Sequence, residues 1–166
     1  MLHYLLTLLK GVPAEILTVI VAMLPIAELR GAIPLALGLK LSITKAYSLA
    51  VIGNLIPVLP ILFFLGPVSN YLRKFSFFDK FFIWLFKRTQ DRSKLIERLE
   101  LLGLVLFVAV PLPITGAWTG AVAAFLFQFR IRDAFWAICL GVLGAGVVVT
   151  LACLGVLHFI PLIVVK

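Results

Sequence analysis

Charge is what this chain has least of: Asp, Glu, Lys and Arg make up 13% of its 166 residues, against about a quarter in an ordinary soluble domain. From Ala46 to Tyr71, and again from Ala134 to Val165, none of the four occurs. Each run exceeds the roughly 20 apolar residues that cross a hydrocarbon core of about 30 Å. With 63% hydrophobic residues, the chain carries more apolar surface than a soluble fold could cover. Cysteine is scarce too. Cys139 and Cys153 lie on one expected helix, about 21 Å apart along its axis, and so cannot bond to each other within one chain. The seven acids form no metal-ligand spacing, and no Ser/Lys, Asp/Asp or His/metal constellation stands out. An enzyme, a bound metal and a cofactor are therefore not expected.

What is present in excess is Lys and Arg, 15 against seven acids, for a net charge of +8. The basic residues fall in loop-like places between apolar segments, without a nucleic-acid module, so nucleic acid is not the expected partner. In a membrane protein the same excess marks the cytoplasmic face. Met1 to Lys10 lacks the basic start and small-residue cleavage site of a secretory signal, and reads as a retained segment, an interfacial helix at most.

Residues 70–100 form the one long polar connection, holding eight of the 15 basic residues and four of the seven acids. Phe75 to Phe86 mixes seven aromatics with Asp79 and Lys80, the pattern of an amphipathic helix on a membrane surface, and Asp91 to Glu100 reads as a solvated helix. Laying the chain over itself with a shift of 88 gives an ungapped echo. Leu24-Pro25-Ile26 falls on Leu112-Pro113-Ile114, and Ala36, Ile43, Ala46, Gly53 and Leu55 fall on Ala124, Ile131, Ala134, Gly141 and Leu143. Biased composition alone produces some of this. Two copies of one unit explain it better, because order is kept as well: apolar helix, Pro-containing break, short apolar helix, polar loop, long apolar span.

Each break is bracketed by proline. In the first copy Pro25, Glu28, Arg30, Gly31 and Pro34 interrupt the apolar pattern; in the second, Pro111, Pro113, Thr115, Gly116, Trp118, Thr119 and Gly120 do. Non-helical backbone at membrane depth survives only where protein or water satisfies it, so both breaks are candidate walls of a cavity. Each unit then has two readings: a re-entrant hairpin followed by one span, or two full spans with the first kinked. Counting basic residues does not separate them, because both place the linker on the basic, cytoplasmic side by ten to four, with Arg30 inside the membrane. Hairpins are the preferred reading, since paired prolines around a charged or Gly/Thr-rich turn fit half-helices that meet at mid-depth. The expected fold is thus an all-α integral membrane protein of two inverted repeats, with hairpins at 12–39 and 101–128 and transmembrane helices at 45–66 and 133–157.

Glu28 and Arg30 are the leading site candidates, because an ionisable side chain inside hydrocarbon costs at least about 2.5 kcal/mol on insertion scales. On a continuous helix they would diverge, whereas an unwound tip lets both face one cavity. The bland alternative is a purely structural ion pair. Thr115, Trp118 and Thr119 offer hydroxyls and an indole N–H on the facing wall, or merely permit close packing. Asn54, near Pro57 and Pro60, is a polar spot within the first span. Arg130 and Arg132 read as interfacial anchors or headgroup contacts.

Two segments, Pro25-Ile-Ala-Glu28-Leu-Arg30-Gly31-Ala-Ile-Pro34 and Pro111-Leu-Pro113-Ile-Thr115-Gly116-Ala-Trp118-Thr119-Gly120, resemble the bacterial and archaeal family labelled putative small multidrug export protein. That family is similar, distantly, to the DedA/VTT superfamily, whose described fold implies two facing re-entrant hairpins. The resemblance implies drug export, or proton-linked transport or movement of lipids such as undecaprenyl phosphate. Unlike DedA proteins, this chain has no basic residue between Pro111 and Gln128, unless Arg130 and Arg132 substitute. The expected function is a small prokaryotic plasma-membrane exporter of an organic cation or drug. Glu28 would be its titrating group, Arg30 its partner, and Thr115, Trp118 and Thr119 the opposite wall. A lipid flippase or scramblase is the alternative, a scaffold subunit a third reading, and a homodimer the expected assembly.

Overall fold

The computed structural model describes residues 12–72, 94–112 and 115–164. Most of the expected amphipathic linker, the first ten residues and Pro113 lie outside them. Every regular element among the described residues is helical: α1 (Ala14–Met23), α2 (Glu28–Gly38), α3 (Ile43–Leu55), α4 (Val58–Leu72), α5 (Lys94–Ala109), α6 (Ala117–Leu126) and α7 (Ile131–Val164).

Proline and capping set most boundaries. Leu24 precedes Pro25 and is extended, with φ −74° and ψ 133°, which ends α1. Ser42 accepts a hydrogen bond from the Lys45 N–H at 3.4 Å and starts α3. The first long apolar run is helical on either side of Pro57 and breaks at Ile56–Pro57, where proline has no N–H to offer. The second run has no proline at the matching position and continues unbroken as α7, which at 34 residues extends beyond both ends of the expected 133–157 span. Helix α5 begins at Lys94 rather than Leu101. Residues 94–100, the described part of the stretch read as a separate solvated helix, are its first turns.

The spacing of 88 recurs in the backbone. Helices α2 and α6 end in the same closure: the N–H groups of Leu39, Lys40 and Leu41 donate to the carbonyls of Leu35, Leu37 and Ala36, and those of Phe127, Gln128 and Phe129 to Ala123, Phe125 and Ala124. Lys40 and Gln128 take up the left-handed turn, at φ 63° and 55°. Helix α3 starts at Ile43 and α7 at Ile131.

Helix α1 doubles back into α2, and both pack on α3; α5 doubles back into α6, and both pack on α7. The Lys45 ammonium lies 3.7 Å from the Glu15 carboxylate, so the starts of α1 and α3 are at one end of the bundle. Likewise Asp133 lines a surface pocket with Leu101 and Leu102, which joins the start of α7 to the first half of α5. Helix α4 rests on α6 and α7, and α2 and α3 cross α7, fusing the halves. The core is built of small side chains, among them Ala22, Ala32, Ala36, Ala121, Ala124 and Ala134, around Ile33, Val108, Ile138 and Val142. A methyl group on Gly53 would sit 2.6 Å from the Val19 carbonyl oxygen, and one on Gly141 2.6 Å from Val108 Cβ, so each span touches the first half-helix of its own unit. Among the described residues two stretches, Ile43–Leu65 and Ile131–Gly155, are long and apolar enough to cross a membrane. Their outward faces carry Phe63, Phe64, Trp136, Leu140 and Leu151, all exposed.

Candidate functional site

The two helix breaks face each other at the centre of the bundle, and each supplies what the other lacks. A broken helix leaves carbonyl oxygens and N–H groups without partners. Arg30, in the first turn of α2, donates through Nη1 to the Leu112 carbonyl and through Nη2 to the Thr115 carbonyl at 3.2 Å. Trp118, in the first turn of α6, donates through its indole N–H to the Met23 carbonyl at 3.1 Å. Arg30 and Trp118 stand 88 residues apart, the spacing of the sequence echo, and each reaches across to the other break. The charged donor serves one break and the neutral donor the other.

Glu28 completes the junction. It is buried, with φ 45°, a left-handed backbone conformation that costs a glutamate of order 1–3 kcal/mol. One carboxylate oxygen accepts the Trp118 backbone N–H at 3.4 Å, and the other lies 3.9 Å from Arg30 Nη2. Helix α6 starts at Gly116, which has no side chain to cap it; the carboxylate from the opposite break takes that role, where the helix dipole favours an anion. Only glycine fits at 116, because any Cβ there would run into the Glu28 carboxylate.

Thr115 belongs to the junction through its backbone. Its hydroxyl donates to the Val110 carbonyl at 2.6 Å and accepts the Leu112 N–H at 3.0 Å, holding the second break in shape. Asn54 on α3 is fully enclosed and lines a chamber of about 10 Å³ together with Glu28, Arg30, Thr115 and Gly116. Arg30 and Pro111 separate this chamber from a larger cavity of about 510 Å³ between α2 and α7, which has Pro34, Leu37, Val148 and Cys153 in its wall. Among the described residues, Arg30 is the only charged side chain lining that cavity.

Other expected site residues fall elsewhere. Glu28 and Arg30 are helical residues and not an unwound tip: the break is confined to 24–27, and Gly31 and Pro34 lie within α2. They meet because the left-handed turn at Glu28 redirects its side chain. Thr119 is exposed and its hydroxyl bonds the Gly116 carbonyl of its own helix at 3.3 Å, so it lines neither chamber nor cavity. One residue further on, Gly120 turns inward against Val108, as a step of about 100° per residue requires. Arg130 and Arg132 lie past the far end of α6, about 15 Å from Gly116 by the length of that helix, and Arg132 pairs with Asp133 at 3.7 Å. Among the described residues no three His, Cys, Asp or Glu side chains gather to hold a metal.

Sequence reasoning missed the cavity wall on α7, although the small-residue run from Gly144 to Gly146 hints at a close approach there. It also missed the acceptors of Met23 and Leu112, which are backbone atoms. Trp118→Phe replaces the indole by a phenyl ring and removes one cross-break bond; it should cost about 1–3 kcal/mol, read as a fall in the thermal midpoint of the purified protein.

The family described as "Putative small multi-drug export protein" matches residues 28–148, from the start of α2 through the second break and into α7, with the whole of the first long apolar run and the first part of the second. No curated protein and no solved structure matches the chain.

Proposed function

The chain belongs to the putative small multi-drug export protein family, and on that premise we propose that it exports an apolar small molecule through the cavity beside Arg30. It is a membrane protein, with two stretches long and apolar enough to span. We propose the finer arrangement as two inverted repeats, each a re-entrant hairpin and a transmembrane span, in a multi-pass fold with residues 70–100 cytoplasmic. Two features support it. The ion pair between Glu15 and Lys45 brings both ends of the first hairpin to one face. The recurrence of caps at a spacing of 88 supports the repeat.

One observation carries the functional reading: a cavity of about 510 Å³, apolar among the described residues except for Arg30, opening beside the hairpin junction. Sites of roughly 300–1,000 Å³ hold drug-sized molecules. The group presented to that cavity is a guanidinium, while Glu28 faces the start of α6. This geometry favours a neutral or anionic amphiphile over the organic cation that an open Glu28 would suit. Coupling follows from shared contacts. A proton taken up by Glu28 would remove the anion that Arg30 and the Trp118 N–H share, loosening the tie between hairpins. An anionic substrate at Arg30 would compete with Glu28 for the same guanidinium. The lipid reading has one feature in its favour, the apolar wall from Arg30 along α7 to Cys153, where an acyl chain could lie. Partners on this reading are the bilayer, the exported molecule and a second copy of the chain.

The test uses proteoliposomes with an imposed pH gradient and three fluorescent amphiphiles, one anionic, one neutral and one cationic. Gradient-driven movement of the anionic or neutral probe, lost in Glu28→Gln, is the expected result. Movement of the cation alone would contradict the charge argument. Equilibration of labelled phospholipid without a gradient would transfer the cavity to the lipid reading.

A further inference from the structure

Asn54 has an enclosed side-chain oxygen to which no described group donates, although the residue is only 1% exposed. A buried acceptor left this way costs about 1–3 kcal/mol, and within a bilayer bulk water is not at hand to serve it. The chamber Asn54 lines is about 10 Å³, close to the volume that one water molecule needs. Its polar lining is defined: the Glu28 carboxylate, the Asn54 amide, Arg30, and the Thr115–Gly116 segment; Leu29, Val108 and Val142 supply apolar walls.

The chemistry of that lining selects the occupant. Two acceptors, a carboxylate and an amide oxygen, ask for a molecule with two donors. The Arg30 guanidinium, within 3.9 Å of the Glu28 carboxylate, already balances its charge and disfavours a second cation. The volume excludes anything of more than one heavy atom. We propose that the chamber holds a single water molecule, donating one hydrogen bond to Asn54 Oδ1 and one to the Glu28 carboxylate. Turning the amide over would put a donor in the same place, and a water serves that arrangement as well. The water makes Asn54 the polar link between α3 and the hairpin junction, extending the network Trp118–Glu28–Arg30 into the span. Arg30 and Pro111 line both this chamber and the large cavity, so the water sits one side chain away from that cavity. Nothing in this proposal depends on what the protein exports.

X-ray radiolytic footprinting of the purified full chain tests it directly, because a bound water split in place oxidises the side chains around it. Leu29, Val108 and Val142 line the chamber, whereas Ile33 and Ile138 are equally buried and line neither chamber nor cavity. After correction for intrinsic reactivity, the three lining residues should oxidise several-fold faster than the two isoleucines. In Asn54→Val the difference should vanish, and in Asn54→Ser, which keeps an oxygen, it should persist. Equal rates in the wild-type protein would overturn the proposal with no variant needed. So would a thermal midpoint that sodium chloride raises over choline chloride and that Asn54→Val makes insensitive, since the occupant would then be a cation.

Discussion

Arg30→Ala is expected to lose on the order of 3 kcal/mol of stability, the largest loss of any single truncation at the hairpin junction. Removing one member of a buried ion pair leaves the other charge without compensation, which typically costs 3–5 kcal/mol. The lower end applies because the Arg30 side chain keeps 27% of its exposure while that of Glu28 keeps 7%. Two further groups lose a donor, the carbonyls of Leu112 and Thr115; the Leu112 carbonyl keeps the Thr115 N–H at 3.1 Å. Arg30→Lys should recover only part of the loss, since a single ammonium cannot span both carbonyls as the guanidinium fork does. The decisive comparison is the double variant Glu28→Gln/Arg30→Ala. Without the buried anion the penalty shrinks, so the double variant should be markedly more stable than the sum of the single losses implies. Thermal unfolding in one detergent, followed for all four proteins, measures this coupling; additive losses would mean that the two side chains do not share a network.

Gly116→Ala should be nearly as damaging, although it adds only a methyl group. The new Cβ occupies the space of the Glu28 carboxylate, which must move away from the Trp118 N–H that it caps. Losing a charged hydrogen bond at a buried helix start costs roughly 2–3 kcal/mol. Gly103→Ala is the matching control, because nothing lies within 4 Å of its Cβ on α5. There the substitution should leave stability unchanged or raise it by about 0.5–1 kcal/mol, as removing a helix glycine does. Shortening the acid should relieve the collision, so Gly116→Ala/Glu28→Asp is expected to regain part of the lost midpoint. A midpoint for Gly116→Ala equal to that of Gly103→Ala would show that Glu28 does not lie against the start of α6.

Much of this was legible in the sequence, for reasons that differ by residue. The long apolar runs and the helix breaks at Pro25 and Pro111 follow from composition and from the missing proline N–H, both local properties. The echo at 88 was visible because Pro, Gly and Ala fall at matching positions in both halves. The pairing of Glu28 with Arg30 was legible as the meeting of two ionisable groups in an apolar stretch. Its geometry was not: an unwound tip was expected, whereas one left-handed residue at Glu28 restarts the helix at once. Thr119 is a wall candidate in the sequence because it brings a hydroxyl to the second break, and only the start of α6 decides that it points outward. The partners of Arg30 and Trp118 could not be read at all, since they are backbone carbonyls and every residue has one. Asn54 stood out as a polar residue in an apolar span, but its neighbours come from four other parts of the chain.

The arrangement of two hairpins entering from opposite faces is the claim on which the junction, the cavity and the coupling all rest. Single cysteines at Ser42 and at Ile131, in a chain whose Cys139 and Cys153 are replaced, can be probed in intact cells with a membrane-impermeant maleimide. The account predicts that the two positions label from opposite sides, with Ile131 on the side of residues 70–100. Labelling of both from the same side would contradict it, and would make each half two full spans instead of a hairpin and a span.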